Sequence, residues 1–520
     1  MEYLLGIDIG TSSTKTILFD TKGNIVASSV EGYPLHQPHI GWAEQDPEDW
    51  WHATVNTIQE VLAKSGVNSH QIKGIGLTGQ MHGMVLLDKG HNVLRPAIIW
   101  CDQRTQRECE EITERVGKEQ LIEVTANPAL TGFTASKVMW VKNNQPHIFD
   151  RIDTILLPKD YIRFKLTGEC ATDVSDASGT QFLDVPNRKW SNKVLEKLDI
   201  PKEWMPELYE SPVLSGKVSH GAAQITGLKM DTPVVAGGGD QATGAVGNGV
   251  VKSGIISSTI GTSGVIFAHM DKVGIDPHGR VHTFCHAIPG SWHIMGVTQS
   301  AGLSLQWMGD NFGGAERELA SFMNLDPYEL MSLEAEQAEP GCQGLIYLPY
   351  LMGERTPHLD PYARGVFFGI TAKHNRSHMI RAVMEGVTYS LRDCLEIIRD
   401  MDVPIQDVRA SGVGGKSKLW RQMQADIFGV SISSINTSAG SALGAALLAG
   451  VGVGIYENVN EACAATIEKV DRAEPIEDNS LIYNKYYPVY RRLYDDLSHS
   501  FKDIGLIQEE LNALRHRGNE

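Results

Sequence analysis

The stretch Asp8-Ile9-Gly10-Thr11-Ser12-Ser13-Thr14-Lys15 decides how this chain is read. Its tetrapeptide Ile-Gly-Thr-Ser returns at Ile260-Gly261-Thr262-Ser263, close to half of the 520-residue chain further on. Each copy stands between two largely apolar runs, residues 3–8 and 14–19 around the first, 255–259 and 265–267 around the second. Strand, Gly-Thr-Ser turn and strand make a tight hairpin whose backbone N–H groups and hydroxyls can face an anion. Two such hairpins, one per half, predict two related lobes that clamp a phosphate chain. The copies differ at one place: Asp8 precedes the first turn, Thr259 the second. A chance recurrence of common loop residues is the competing reading, and the other motifs decide between the two.

The length is too great for one hydrophobic core and predicts at least two large domains. Apolar content of 42% and charged content of 21% are those of an ordinary globular protein. The net charge of −17 argues against nucleic acid or an anionic membrane as partner. It leaves ATP open, because local dipoles and Mg²⁺ hold phosphates. Seven cysteines, an odd number without zinc-finger spacing, predict reduced thiols in a cytoplasmic protein. The start, Met1-Glu2-Tyr3-Leu4-Leu5-Gly6, carries no basic leader and runs straight into a strand. The longest uncharged stretch, 427–456, is interrupted by Ser, Thr and Asn over its first half. Its apolar remainder, 440–456, falls short of the ~20 residues of a membrane helix. It reads as a Gly/Ala-rich helix packed inside a domain.

Along the chain, strands are expected to end at Asp8 and to cover 14–19 and 25–29, with a helix over 49–63. A strand over 72–77 leads into Gln80-Met81-His82-Gly83. Another over 233–236 leads into Gly237-Gly238-Gly239-Asp240. Alternating strands and helices predict an α/β fold. The second half restarts near residue 254. A helix over 377–401 carries one buried stripe, and Gly386 within it costs about 1 kcal/mol unless close packing requires it. A strand over 408–411 feeds a glycine loop, then a helix with Leu419, Met423 and Ile427 on one face. Residues 471–480 read as an acidic linker. Tyr490, Leu493, Tyr494, Leu497 and Phe501 mark a C-terminal helix packed on its parent domain, with a homodimer contact as the alternative. The expected divisions are 1–250, 251–470 and 471–520.

Asp8 and Asp240 each follow an apolar strand and adjoin glycine. Such carboxylates are poorly placed for a core, and suited to hold Mg²⁺ through water or to accept a proton. Phosphoryl transfer needs phosphate donors, a metal and one carboxylate for the attacking hydroxyl. A capping role for either Asp is the bland alternative. His82 follows a strand in the same way. Trp100, after Ala97-Ile98-Ile99, reads as core. His278, His282 and His286 stand four apart, but Pro277, Gly279 and the β-favouring Val281, Thr283 and Phe284 argue against a helical zinc site. A more serious competitor is Ala410-Ser411-Gly412-Val413-Gly414-Gly415-Lys416-Ser417, one residue short of a P-loop. It would leave both Ile-Gly-Thr-Ser turns and Gly-Gly-Gly-Asp without a role.

Taken together, these motifs resemble the FGGY-type carbohydrate kinases over roughly residues 3–455. Asp8 to Lys15 resembles that family's first phosphate loop. Gly132-Phe-Thr-Ala-Ser-Lys137-Val-Met-Trp140 and Gly365-Val-Phe-Phe-Gly369 through Ala382-Val-Met-Glu385 are similar to its longer patterns. Gln80-Met81-His82-Gly83, Leu157-Pro-Lys-Asp160-Tyr161 and Gly353-Glu-Arg-Thr-Pro357-His358 resemble the branch acting on D-xylulose rather than on glycerol or ribulose.

The resemblance implies a two-lobed α/β fold of the actin/hexokinase (ribonuclease-H-like) kind with a central cleft. It implies ATP and Mg²⁺ as cofactors and D-xylulose 5-phosphate as product. Asp240 would be the base, Asp8 the metal carboxylate, and Met81, His82, Asp240 and Gln241 the sugar contacts. Thr11, Ser12, Lys15, Gly261 and Thr262 would line the phosphates. Gly302, Gln306, Gly414, Gly415 and Lys418 would lie near the nucleotide, with a side chain at position 414 pointing towards it. Two departures stand out: Gly412-Val413-Gly414-Gly415 replaces Gly-Gly-Gly-Ala, and Trp100-Cys101-Asp102 replaces Trp-Asn-Asp. The alternatives are a kinase of the same family acting on ribulose, gluconate or glycerol, or an actin-like ATPase scaffold.

Overall fold

The computed structural model describes residues 1–517 and divides into two units. The first comprises Met1–Lys252, His269–His293 and Thr437–Glu468. The second comprises Ser253–Ala268, Ile294–Asn436 and the chain from Lys469 on. Residues 518–520 of the expected third division lie outside the described residues.

The first unit is built on a sheet in the order Leu214–Lys217, Pro233–Val235, Ile72–Gly79, Tyr3–Ile9, Ser13–Asp20, Ile25–Gly32. Tyr3–Ile9 pairs antiparallel with Ser13–Asp20 and parallel with Ile72–Gly79. Side chains of a strand alternate between its two faces. Leu5, Ile7 and Ile9 join a core with Trp50, Ile58 and Val61 of the helix Pro47–Ser65. Asp46 caps that helix by accepting from Glu48 N at 3.0 Å, and Pro47 opens it. Leu4, on the other face, joins Ala442, Leu443 and Ala446 of the helix Gly440–Gly452. Helices on both faces explain why the strand is a continuous apolar run rather than an alternating one.

The Gly440–Gly452 helix lies almost against the strand backbone. A Cβ on Gly6 would stand 2.1 Å from the Ala442 carbonyl oxygen. This contact is why residues 437–468 belong to the first unit, although the sequence places them within a second division of 251–470. A run rich in Gly and Ala announces a close approach but not the surface approached.

The second unit repeats the pattern. Gly254–Ile260 pairs antiparallel with Gly264–Met270 and parallel with Ile405–Ser411. Ile432–Ile435 continues the sheet beyond Ile405–Ser411. The helix Arg376–Asp400 is buried along most of its length, and a Cβ on Gly386 would meet the Tyr347 carbonyl oxygen at 2.2 Å, which accounts for that glycine.

Residues 471–480 are not a linker. Lys469–Ala473 pairs antiparallel with Ile432–Ile435, and a helix begins at Glu477. Charged Lys469, Asp471 and Arg472 suit an exposed edge strand and therefore read as a loop in sequence. In the C-terminal helix Tyr483, Tyr487, Tyr490, Leu493 and Phe501 are buried, so its first half packs on its own unit. No helix among the described residues is long and apolar enough to cross a membrane.

Candidate active site

Both hairpins form as the sequence predicts. Gly10 N donates to Ser13 O at 3.0 Å, and Gly261 N to Ser263 O at 2.9 Å. The first turn is one residue longer, closing between Ile9 and Thr14 where the second closes between Ile260 and Gly264. Protein donors take the carbonyls of the first turn: Tyr33 Oη to Gly10 O at 2.5 Å, Gln45 Nε2 to Thr11 O at 2.7 Å, and Tyr33 N to Ser12 O at 3.2 Å. Trp100 Nε1 donates to Thr11 Oγ1 at 2.9 Å. Trp100 is 41% exposed, so it is not the core residue its apolar neighbours suggest. It braces the loop.

Asp8 follows Leu4 and Gly6 on the sheet face covered by the Gly440–Gly452 helix, and Ser441 Oγ donates to Asp8 Oδ2 at 2.5 Å. Lys15 is its cross-strand partner. Burial raises the Asp8 pKa, against the pull of the Ser441 hydroxyl and the Lys15 charge. Sequence reading finds Asp8 and Lys15 but gives no signal for Ser441. At the corresponding place in the second hairpin two neutral hydroxyls meet: Thr259 Oγ1 and Ser411 Oγ are 2.7 Å apart.

Asp240 opens the helix Asp240–Gly247, directly after Gly238 and Gly239 pair with Thr78 and Gly79. Open α/β sheets present their ligand sites beyond the carboxyl ends of the strands, and this is such an end. Burial pushes the Asp240 carboxyl up to about 7, helped by the negative charge of Asp8, while hydrogen bonds from Gln241 pull the other way. A carboxylate in that range is matched to proton acceptance near neutral pH.

Met81 and His82 come to the same place. A Cβ on Gly239 would lie 2.9 Å from Met81 Cγ. The His82 backbone is left-handed, with φ of 69°. Its Nδ1 lies 2.8 Å from Gly179 O, and its ring stacks on Phe133 at 4.5 Å between centroids. Lys137 Nζ donates to His82 O at 2.9 Å and to Gly132 O at 2.7 Å, and Thr134 Oγ1 donates to His82 O at 3.1 Å. The Gly132 to Trp140 pattern thus works as a mount for His82. Lys137 is fully buried, and burial pulls its ammonium down to about 7.

In the second unit Gly302 N donates to Gly261 O at 2.8 Å and Leu303 N to Thr262 O at 3.1 Å, so the helix Gly302–Phe312 starts on the hairpin. Gln306 lies one turn along it and is exposed. Gly412, with φ of 68°, passes so near that a Cβ would meet Ile260 O at 2.1 Å. Gly261, Thr262, Gly302 and Gly414 are therefore gathered around Ile260. The glycine loop is a short helix, Gly412–Lys416, followed by Lys418–Phe428 with Ser417 as its cap. A Cβ on Gly414 would strike Ile260 Cδ1 at 2.4 Å, so that position points at protein and not outward as expected. Gly415 is buried, and Lys416 and Lys418 are exposed.

The histidines at 278, 282 and 286 are not on a helix: His282–Cys285 is a strand. Among the described residues no three His, Cys, Asp or Glu side chains converge on a metal position. The strand-end carboxylate of Asp8 is a hard oxygen donor of the kind that suits Mg²⁺. The seven cysteines are free thiols.

Comparison with known proteins accounts for the arrangement. Residues 3–247 match the N-terminal domain of the FGGY family of carbohydrate kinases, and residues 256–453 its C-terminal domain. The chain is 41% identical over 495 residues to the xylulose kinase of Bacillus subtilis, covering 95% of this chain and 97% of that one. It is 33% identical over 511 residues to the gluconokinase of Bacillus subtilis, covering 98% and 99%. The ligand-bound crystal structure of the xylulose kinase from Lactobacillus acidophilus superposes with a TM-score of 0.89 at 28% identity, covering 97% of this chain and 100% of that one. The fold is the actin/hexokinase-like fold of the sugar kinases, and Lys416 does not belong to a P-loop. The chain belongs to the FGGY family of carbohydrate kinases and is a phosphotransferase acting on a sugar-type alcohol.

Proposed function

We propose that this kinase transfers the γ-phosphoryl group of ATP to D-xylulose, giving D-xylulose 5-phosphate and ADP in the cytoplasm. The observation that carries this reading is the packing of Met81 on Gly239, one residue before Asp240, with His82 adjoining. The residues expected to grip a ketose thereby share one corner with a carboxyl whose pKa is raised to about 7. The xylulose kinases among its relatives support the same substrate.

In the proposed reaction Asp240 accepts the proton of the sugar hydroxyl as that oxygen forms its bond to the γ-phosphorus. The bond from that phosphorus to the ADP oxygen breaks, and its electron pair leaves with ADP. Gln241, hydrogen-bonded to Asp240, orients the carboxylate. Met81 and His82 hold the ketose. Thr11, Ser12 and Lys15 line the phosphates from the first hairpin, Gly261 and Thr262 from the second. Gly302, Gln306, Gly414, Gly415 and Lys418 surround or support the nucleotide. Asp8 holds Mg²⁺, which supplies charge neutralisation at the phosphates.

A sugar acid is the second reading, favoured by the likeness to gluconokinase and by Cys101 standing where an amide is usual. Pentuloses, polyols and sugar acids compared in a coupled ADP-release assay test the choice. The highest kcat/KM is expected for D-xylulose, and a preference for gluconate or glycerol would overturn the substrate and leave the family intact.

A further inference from the structure

A hydrogen-bonded chain begins at a buried ammonium and ends at the backbone N–H of Gly239, the residue before Asp240. Lys159 Nζ lies 2.6 Å from Asp160 Oδ1, 3.0 Å from Asp173 Oδ1 and 3.6 Å from Asp176 Oδ2, all four side chains being fully buried. Asp173 Oδ2 accepts from Ser175 N at 2.8 Å, Ser175 Oγ at 2.6 Å and Ser211 Oγ at 2.8 Å. Gly239 N in turn donates to Ser175 Oγ at 3.2 Å.

The direction of this chain is determined. A carboxylate only accepts, so the single hydroxyl proton of Ser175 goes to Asp173, and its lone pairs remain for the Gly239 N–H. The segment Gly237-Gly238-Gly239 has no side chains to anchor it, so its main-chain bonds decide where Asp240 begins. Space there is tight as well: a Cβ on Gly238 would lie 3.0 Å from Ser175 Oγ.

We propose that Ser175, held by the Lys159–Asp173 ion pair, is a positioning residue that fixes Gly239 and thereby aims Asp240 at the hydroxyl to be phosphorylated. The inference rests on Asp240 as the base. A base displaced by a fraction of an ångström loses rate without loss of binding, because proximity and alignment act on the barrier. Ser211 provides the control, since it makes the same kind of bond to Asp173 and none to Gly239 through its side chain.

The test is steady-state kinetics of Ser175→Ala, Ser211→Ala and Asp240→Asn, with the alcohol that the wild-type enzyme turns over fastest, alongside urea midpoints. Ser175→Ala is expected to lower kcat about 10- to 100-fold with both KM values within about threefold, while Ser211→Ala keeps kcat within about twofold. Wild-type turnover in Ser175→Ala, or equal loss of kcat in the two serine variants, would overturn the inference even with Asp240→Asn inactive. An active Asp240→Asn enzyme would overturn the base assignment and this inference with it.

Discussion

Ser441 Oγ donates to Asp8 Oδ2 across 2.5 Å of space and 433 positions of sequence. The bond places a hydroxyl against the strand-end carboxylate proposed to hold Mg²⁺. A hydrogen bond to a charged group contributes about 1.5–3 kcal/mol. Here it opposes the burial that disfavours ionised Asp8. The second hairpin has the neutral pair Thr259 and Ser411 at the corresponding place, so of the two hairpins the first carries the strand-end carboxylate.

Ser441→Ala should therefore raise the Mg²⁺ concentration for half-maximal rate, by roughly tenfold, with more effect at pH 6 than at pH 8. Asp8→Asn should abolish the metal response while sparing sugar binding measured without metal. Mg²⁺ titrations of the two variants check both outcomes; an unchanged metal response in Asp8→Asn would make Asp8 structural.

Asp240→Asn should lose about 10²- to 10⁴-fold in kcat, the usual range for a general base, with ATP and sugar affinities retained. In the wild type, with the Asp240 carboxyl at about 7, kcat/KM should fall about tenfold per pH unit below that value. A flat profile down to pH 5 would exclude Asp240 as the group that must be ionised.

The same raised pKa carries a stability consequence of definite sign. Folded Asp240 holds its proton to about 7, against 3.8 for the ordinary group. Its folded form is favoured at low pH, and that advantage is lost as pH rises from about 4 through 7. Asn cannot ionise. Asp240→Asn should then be more stable than wild type at pH 8, by on the order of a few kcal/mol, and no more stable near pH 4. Urea midpoints at the two pH values measure the difference.

His82→Ala should raise KM for the ketose about tenfold and leave KM for ATP within about twofold, since the contact proposed for it lies on the sugar side alone. The variant also loses the Phe133 stack. Isothermal titration with sugar in the absence of nucleotide separates lost binding from lost stability.

Lys416→Ala should keep kcat within about tenfold of wild type, because the exposed Lys416 is proposed to stand beside the adenosine and clear of the moving phosphoryl group, whereas loss of a P-loop lysine would cost several kcal/mol. Gly414→Val should do more damage, and through the fold: its side chain would meet Ile260, which carries the second phosphate turn. Thermal midpoints should drop for Gly414→Val and hold for Lys416→Ala.

Local chemistry was legible in the residues themselves. A glycine turn between two apolar runs can scarcely be anything but a hairpin, and its repetition near residue 260 marks a second copy of the same strand pattern. Asp8 and Asp240 stood out because a carboxylate at the end of a buried strand has no packing role there. What tertiary structure alone decided is everything that depends on which surfaces meet. Ser441 bonds Asp8 because period-2 alternation turns that carboxylate to the face covered by the Gly440–Gly452 helix, and no local pattern says which sheet a Gly/Ala-rich helix will cover. Trp100 braces Thr11 instead of entering the core, Lys469–Ala473 completes an edge rather than a linker, and Gly414 faces Ile260. Each depends on a partner brought near by packing, and the free energy of such contacts belongs to the pair and not to either stretch of sequence.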